Sequence, residues 1–154
     1  MDIEEQYDKI YRYCYFKMYD DQIAQDITQE TFLRFCKQGL NLGSDKELPY
    51  LYTIAKNLCI DHFRRRTTES LEEITEEVID DPTEDLISNL TLRMTISKLP
   101  EDEQELIFLR YVNEVSITTI CKITGLSRFA VYRKLSKSLK WLKEELLKEG
   151  FSNG

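Results

Sequence analysis

Six cations and no anion fall between Arg128 and Lys143, in the stretch RFAVYRKLSKSLKWLK. Arg128, Arg133, Lys134, Lys137, Lys140 and Lys143 can neutralise phosphates, and arginine and lysine also donate to base edges. A second set suits a protein surface: Asp26, Gln29, Glu30 and Leu33 recur at i, i+3, i+4 and i+7, one stripe of a helix. Enzyme chemistry finds no comparable set. His62 is the one histidine, so a hydrolytic triad or a histidine metal site lacks partners. Gly39, Gly43, Gly125, Gly150 and Gly154 form neither a phosphate loop nor a dinucleotide fingerprint. Cys14, Cys36, Cys59 and Cys121 make no CxxC pair and read as reduced core thiols. No catalytic residue, metal or cofactor is expected.

The elements that must position these residues read as helices. The chain has 154 residues and a formal net charge of −7, but the charge is segmental. Residues 1–66 carry a net of −1 and residues 93–154 a net of +3, whereas residues 67–92 hold nine acids and no base. That acidic segment, with Pro82 inside it, reads as a linker between two compact modules; a solvated surface helix is the alternative for part of it. In the first module Ile3, Tyr7, Ile10, Tyr11, Cys14 and Tyr15 have helical spacing. Asp20 or Asp21 caps a second helix with Ile23, Ile27, Phe32, Leu33 and Phe35 inward, ending near Gly39. A third helix is expected from Lys46 to Arg66, burying Leu51, Ile54, Ala55, Leu58 and Phe63. No stretch alternates with period two. The fold class is therefore all-α: two small helical domains, 1–66 and 93–150, joined by the acidic linker 67–92.

The second module opens on LPEDEQELIFLRYV, where Pro100 and the acids after it suit a helix start. Ser116 can cap a short helix through Ile123, Gly125 can end it at positive φ, and Ser127 can cap the helix that follows. A helix, a short glycine turn and a longer basic helix make a helix-turn-helix. At 100° per residue, Val131, Leu135, Leu139, Leu142 and Leu146 share the core face, while Arg133, Lys137 and Lys140 lie opposite, flanked by Phe129, Ser136 and Lys143. An apolar back and a basic front are what a recognition helix needs. Charge alone fits a solvated helix equally well; the turn and the caps favour DNA. The acidic N-terminus and the absence of a long apolar run place the chain in the cytoplasm, with no membrane insertion.

These residues bring a family into view. LPEDEQELIFLRYVNEVSITTICKITGLSRFAVYRKLSKSLKWLKEEL resembles the promoter −35-binding region of bacterial sigma-70 family sigma factors. QDITQETFLRFCK and LPYLYTIAKNLCIDHFRRR resemble the family's core-binding and −10-binding region. The order, the spacing and the short linker are similar to the extracytoplasmic-function (ECF) branch. The resemblance implies a sigma factor, not an enzyme, that binds core RNA polymerase and directs promoter-specific initiation by reading −10 and −35 elements and promoting strand opening. It implies docking on the β′ clamp helices through Asp26, Gln29, Glu30, Phe32, Leu33 and Arg34, with the β flap as a second polymerase contact. An anti-sigma factor is a further partner that the resemblance leaves open.

For the −10 element the resemblance points to Asn57, Tyr50, Tyr52, Lys56, Arg64, Arg65 and Arg66, with the loop GLNLGSDKEL capturing a flipped base. Tyr50 stands where the family usually has tryptophan. For the −35 element it points to Ser127, Arg128, Phe129, Tyr132, Arg133, Lys134, Lys137 and Lys140. Arg128, Phe129 and Ala130 replace the family's usual run of small residues, which implies a different −35 sequence. In the family the linker threads the polymerase toward the active site and the RNA exit path. Glu72, Glu73, Glu76 and Glu77 would there act as a weak RNA mimic, against the alternative of a passive tether.

Overall fold

The computed structural model describes residues 3–38, 44–69 and 91–148, and every regular element among them is helical. Helix α1 spans Ile3–Met18, α2 Asp21–Lys37 and α3 Ser44–Glu69. After a short helical stretch α4 over 91–96, α5 runs Glu101–Ile107 and continues as one wider π-helical turn over Phe108–Val112. The last two helices are α6, Ile117–Thr124, and α7, Arg128–Lys148. Residues 70–90 and 39–43 lie outside the described residues, and with them the glutamates of the proposed RNA mimic and the first half of the base-capture loop, whose second half is the start of α3.

Local chemistry explains the joints. Tyr19 takes φ 58° and leads into Asp20, whose carboxylate accepts from the Ile23 amide at 3.0 Å and caps α2. Two threonines face the interior of α2 without leaving a hydroxyl unpaired. Thr28 and Thr31 each donate back to the carbonyl four residues earlier, both at 2.7 Å. Pro49 lies within α3, near its start, and the helix begins at Ser44 rather than at the expected Lys46.

The core differs from the periodicity reading in a consistent way. Ile10, Tyr13, Cys14 and Met18 are the buried apolar residues of α1, while Tyr11 and Tyr15 are half-buried and Ile3 is exposed. Phe63, expected inside, is 44% exposed. Cys14 and Cys59 are core thiols as expected, whereas Cys36 is exposed and Cys121 half-buried. The reason is that the two modules share one core, which moves the inward direction of α1 and α3. Phe16 stacks on Phe108 with ring centroids 4.4 Å apart, and Tyr13 stands edge-on to Tyr52 at 5.3 Å. Leu51, Ala55, Leu106, Leu109 and Ile120 complete the continuous apolar interior.

Candidate nucleic-acid interface and partner surface

The helix-turn-helix forms through the local signals that announced it. Ser116 accepts from the Thr119 amide at 3.1 Å. Gly125 ends α6 at φ 77°, and its amide reaches the Cys121 carbonyl at 2.8 Å. A side chain there would meet no neighbour, so the left-handed backbone alone selects glycine. Ser127 Oγ accepts from the Ala130 amide at 3.1 Å and caps α7.

Helix α7 is held by Val131, Leu135, Ser138 and Leu142, all buried. Leu139, expected on that face, is 38% exposed. The 4-3-4 spacing of the buried set points one residue earlier, so Ser138 takes the inward place. The outward face carries Arg128, Phe129, Tyr132, Arg133, Ser136, Lys137 and Lys140, all exposed. Ser127 sits at its edge. Arg133 lies over the Phe129 ring, 5.6 Å from its centroid, and Arg128 donates to Thr118 Oγ1 at 2.6 Å. Lys134 is drawn away from this face: its ammonium pairs with Asp102 at 2.6 Å. That hydrogen bond holds the Asp102 carboxyl below its ordinary range.

The acidic stripe of α2 is a second exposed surface. Asp26 accepts from Gln22 at 3.0 Å, and Arg34 donates to Glu30 at 3.0 Å. Leu33 is 54% exposed, although periodicity had also placed it inward; Phe32 is half-buried against Tyr7, at 5.4 Å between centroids. Gln29, Phe32 and Leu33 border a shallow hollow of about 360 Å³ with Tyr7 and Cys36. Asp26 and Glu30 border another of about 210 Å³ with His62 and Arg65. The carboxylates therefore border the hollow between α2 and α3, and Leu33 borders the hollow between α2 and α1, so α2 presents acids and an exposed leucine between two grooves, an arrangement suited to a protein partner.

The residues assigned to the −10 element divide. Asn57, Arg64, Arg65 and Arg66 are exposed along α3. Tyr50 is half-buried against Phe35, with centroids 5.9 Å apart. Tyr52 is 1% exposed, and its hydroxyl accepts from Asn113 at 2.7 Å. Lys56 pairs with Glu105 at 3.3 Å. Tyr52 thus has no open face in this arrangement, and Lys56 is engaged by the second module, because α3 is the surface on which that module rests.

Two residues that sequence reasoning passed over make this junction. Glu105 is 6% exposed. It pairs with Lys17 at 2.6 Å and Lys56 at 3.3 Å, and it accepts from the Tyr13 hydroxyl at 3.1 Å. Burial alone would raise its pKa; the hydrogen bond and charge of Lys17, with the charge of Lys56, overcome that and hold the carboxyl below its ordinary range. The Tyr13 hydroxyl is pushed far up, by burial first and by the Glu105 charge second. Asn113 is equally enclosed. Its Oδ1 accepts from Arg12 at 2.8 Å, and its Nδ2 donates to the Lys9 carbonyl at 2.8 Å and to Tyr52. The π-helical turn aims it inward: the Asn113 amide bonds five residues back to Phe108 at 3.0 Å. Glu114 then takes φ 52° to let the chain leave. The available signal was Glu105 beside the apolar Leu106 and Leu109, an acid on a core stripe.

No helix among the described residues is long and apolar enough to cross a membrane. No group of three metal-capable side chains occurs among them.

Two family models match the chain. Residues 3–69 match the family described as sigma-70 region 2, and residues 89–142 match sigma-70 region 4. The ECF RNA polymerase sigma factor BldN of Streptomyces coelicolor is 31% identical over 140 residues, covering 80% of this chain and 51% of its own length. The present chain thus spans about half of that relative. The ECF RNA polymerase sigma factor SigW of Bacillus subtilis is 31% identical over 159 residues, covering 90% of this chain and 83% of its own. Among solved structures, the sigma factor RpoE of Bartonella quintana, crystallised with the anti-sigma factor NepR, superposes with a TM-score of 0.68. It covers 95% of this chain and 94% of its own at 22% identity.

Proposed function

The chain belongs to the sigma-70 family of RNA polymerase sigma factors, in its ECF branch, and we propose that it binds core polymerase and directs initiation at a particular set of promoters. It is a recognition subunit and catalyses nothing itself; its place of action is the cytoplasm, where core polymerase and promoter DNA are found. In this reading residues 1–66 form the polymerase and −10 module, 67–92 the linker, and 93–150 the −35 module. Asp26, Gln29, Glu30, Phe32, Leu33 and Arg34 meet the β′ clamp helices, and the second module meets the β flap. Asn57, with Tyr50, receives an unstacked −10 base, while Arg64, Arg65 and Arg66 follow the DNA backbone. The outward face of α7 enters the −35 major groove.

The observation that carries the reading is the simultaneous display of two surfaces: the acid-and-leucine stripe of α2 and the basic front of α7. A single DNA-binding regulator would use only the second. Tyr52 and Lys56 join the −10 surface only when the second module leaves α3. That separation is therefore part of the proposed function, with core polymerase supplying the binding energy. Co-purification with core polymerase, followed by run-off transcription from a genomic library, tests the reading. Capture of core enzyme and a reproducible set of start sites are expected. A chain that binds DNA without core enzyme, and starts no transcripts with it, would instead be an ordinary regulator.

A further inference from the structure

Phe129 is 73% exposed, more than any other large apolar side chain among the described residues. A phenylalanine in water forgoes the stabilisation that burial would give it, and nothing in the helix-turn-helix needs it: α7 is anchored by Val131, Leu135 and Leu142 on the opposite side. Its one recorded ring contact is Arg133, whose guanidinium lies over the ring at 5.6 Å from the centroid. The two stand at the N-terminal end of α7, the end of a recognition helix that reaches base edges. That end is held firmly by the Ser127 cap. Arg128, the neighbouring cation, is tied back to Thr118, which leaves the Phe129–Arg133 pair foremost.

The chemistry of such a pair is specific. The one apolar feature that a base edge offers in the major groove is the 5-methyl group of thymine. A guanidinium stacked through its face keeps its in-plane donors, which match O6 and N7 of guanine. Residues four apart on a helix are displaced by about 6 Å along its axis, less than two base-pair steps. We propose that Phe129 and Arg133 act together as a base reader, the ring against a thymine methyl and the guanidinium on a guanine of a neighbouring base pair. This rests on the assignment of α7 to the −35 element and deepens it: the specificity resides in the residue that interrupts the expected small-residue run.

The test uses the full chain with core polymerase and duplexes randomised across the −35 region. Wild type should enrich a sequence containing a thymine whose replacement by deoxyuridine, which removes only the methyl, weakens binding about fourfold, the worth of one buried methyl group. Phe129→Ala should bind the thymine and deoxyuridine duplexes equally and enrich sequences without that thymine, with its melting temperature unchanged. Phe129→Leu should keep part of the discrimination, and Arg133→Lys should relax a neighbouring guanine. The same enriched sequence and the same thymine-to-deoxyuridine ratio in Phe129→Ala would overturn the base reader while leaving −35 binding intact. Unchanged DNA selection with lost polymerase capture in Phe129→Ala would assign the ring to a protein contact, again overturning it. If the wild-type holoenzyme enriches no sequence at all, the −35 assignment fails and the base reader fails with it.

Discussion

At the residue scale, Asp26 and Glu30 carry the polymerase claim and Asn57 the −10 claim. Both carboxylates are on the surface, and Glu30 is held only by Arg34 of its own helix at 3.0 Å. Exposed ion pairs of this kind contribute about 0–1 kcal/mol to folding. Reversal to Asp26→Lys or Glu30→Lys should therefore leave the melting temperature nearly unchanged, yet weaken core polymerase capture about tenfold, or 1.4 kcal/mol. Quantitative pull-down beside a thermal melt separates the two effects. Asn57→Ala should cost about 1–3 kcal/mol in open-complex formation if the amide makes a bidentate base contact. Permanganate footprinting on a promoter used by the wild type would register the loss, and wild-type opening would remove Asn57 from the pocket. The stripe of Asp26 and Glu30 was legible because it follows from short-range helical spacing, whereas Asn57 was named only by the family resemblance. The burial of Tyr52 was not legible: its neighbour Asn113 is 61 positions away, and no local pattern announces such a meeting.

At the scale of elements, the helix-turn-helix is the part that local sequence determines most fully. Ser116, Gly125 and Ser127 each act within four residues, through caps and one left-handed turn. Ser127→Ala should destabilise α7 by about 1 kcal/mol. Gly125→Ala should cost a further 1–2 kcal/mol, because φ 77° brings its Cβ against its own backbone. Chemical denaturation would measure both. Periodicity failed where an element packs on more than one neighbour. Leu139 and Phe63 satisfy a helical stripe but face out, while Ser138 and Glu105 interrupt one and face in. For α7, a salt titration of DNA binding by the full chain with core enzyme should give a slope of log K on log salt steeper than −4, for about five phosphate contacts at the −35 element alone.

At the scale of the whole molecule, the two modules are one folded body because Phe16, Phe108, Tyr13 and Tyr52 form a common interior. Glu105 and Asn113 pin it, with partners 92 and 101 positions away in the chain. Removing one member of a buried pair is costly, so Glu105→Ala should lose about 3 kcal/mol or more and split one unfolding transition into two. Acid should act on the same contact. A carboxyl whose folded pKa is depressed contributes its full stability above the unfolded value near 4.3, and loses it as pH falls through the lower folded value. The junction should therefore loosen below about pH 4 in wild type, with that acid response diminished in Glu105→Gln, as read by small-angle scattering.

The central claim is that this folded body is a promoter-selecting polymerase subunit, and its most direct measurement is transcription itself. Purified chain and core polymerase, mixed on genomic fragments, should yield run-off transcripts from a reproducible set of start sites. Those transcripts should be absent with core enzyme alone and reduced together by Glu30→Lys. A transcript pattern indistinguishable from that of core enzyme alone, with the chain folded and present in excess, would contradict the account.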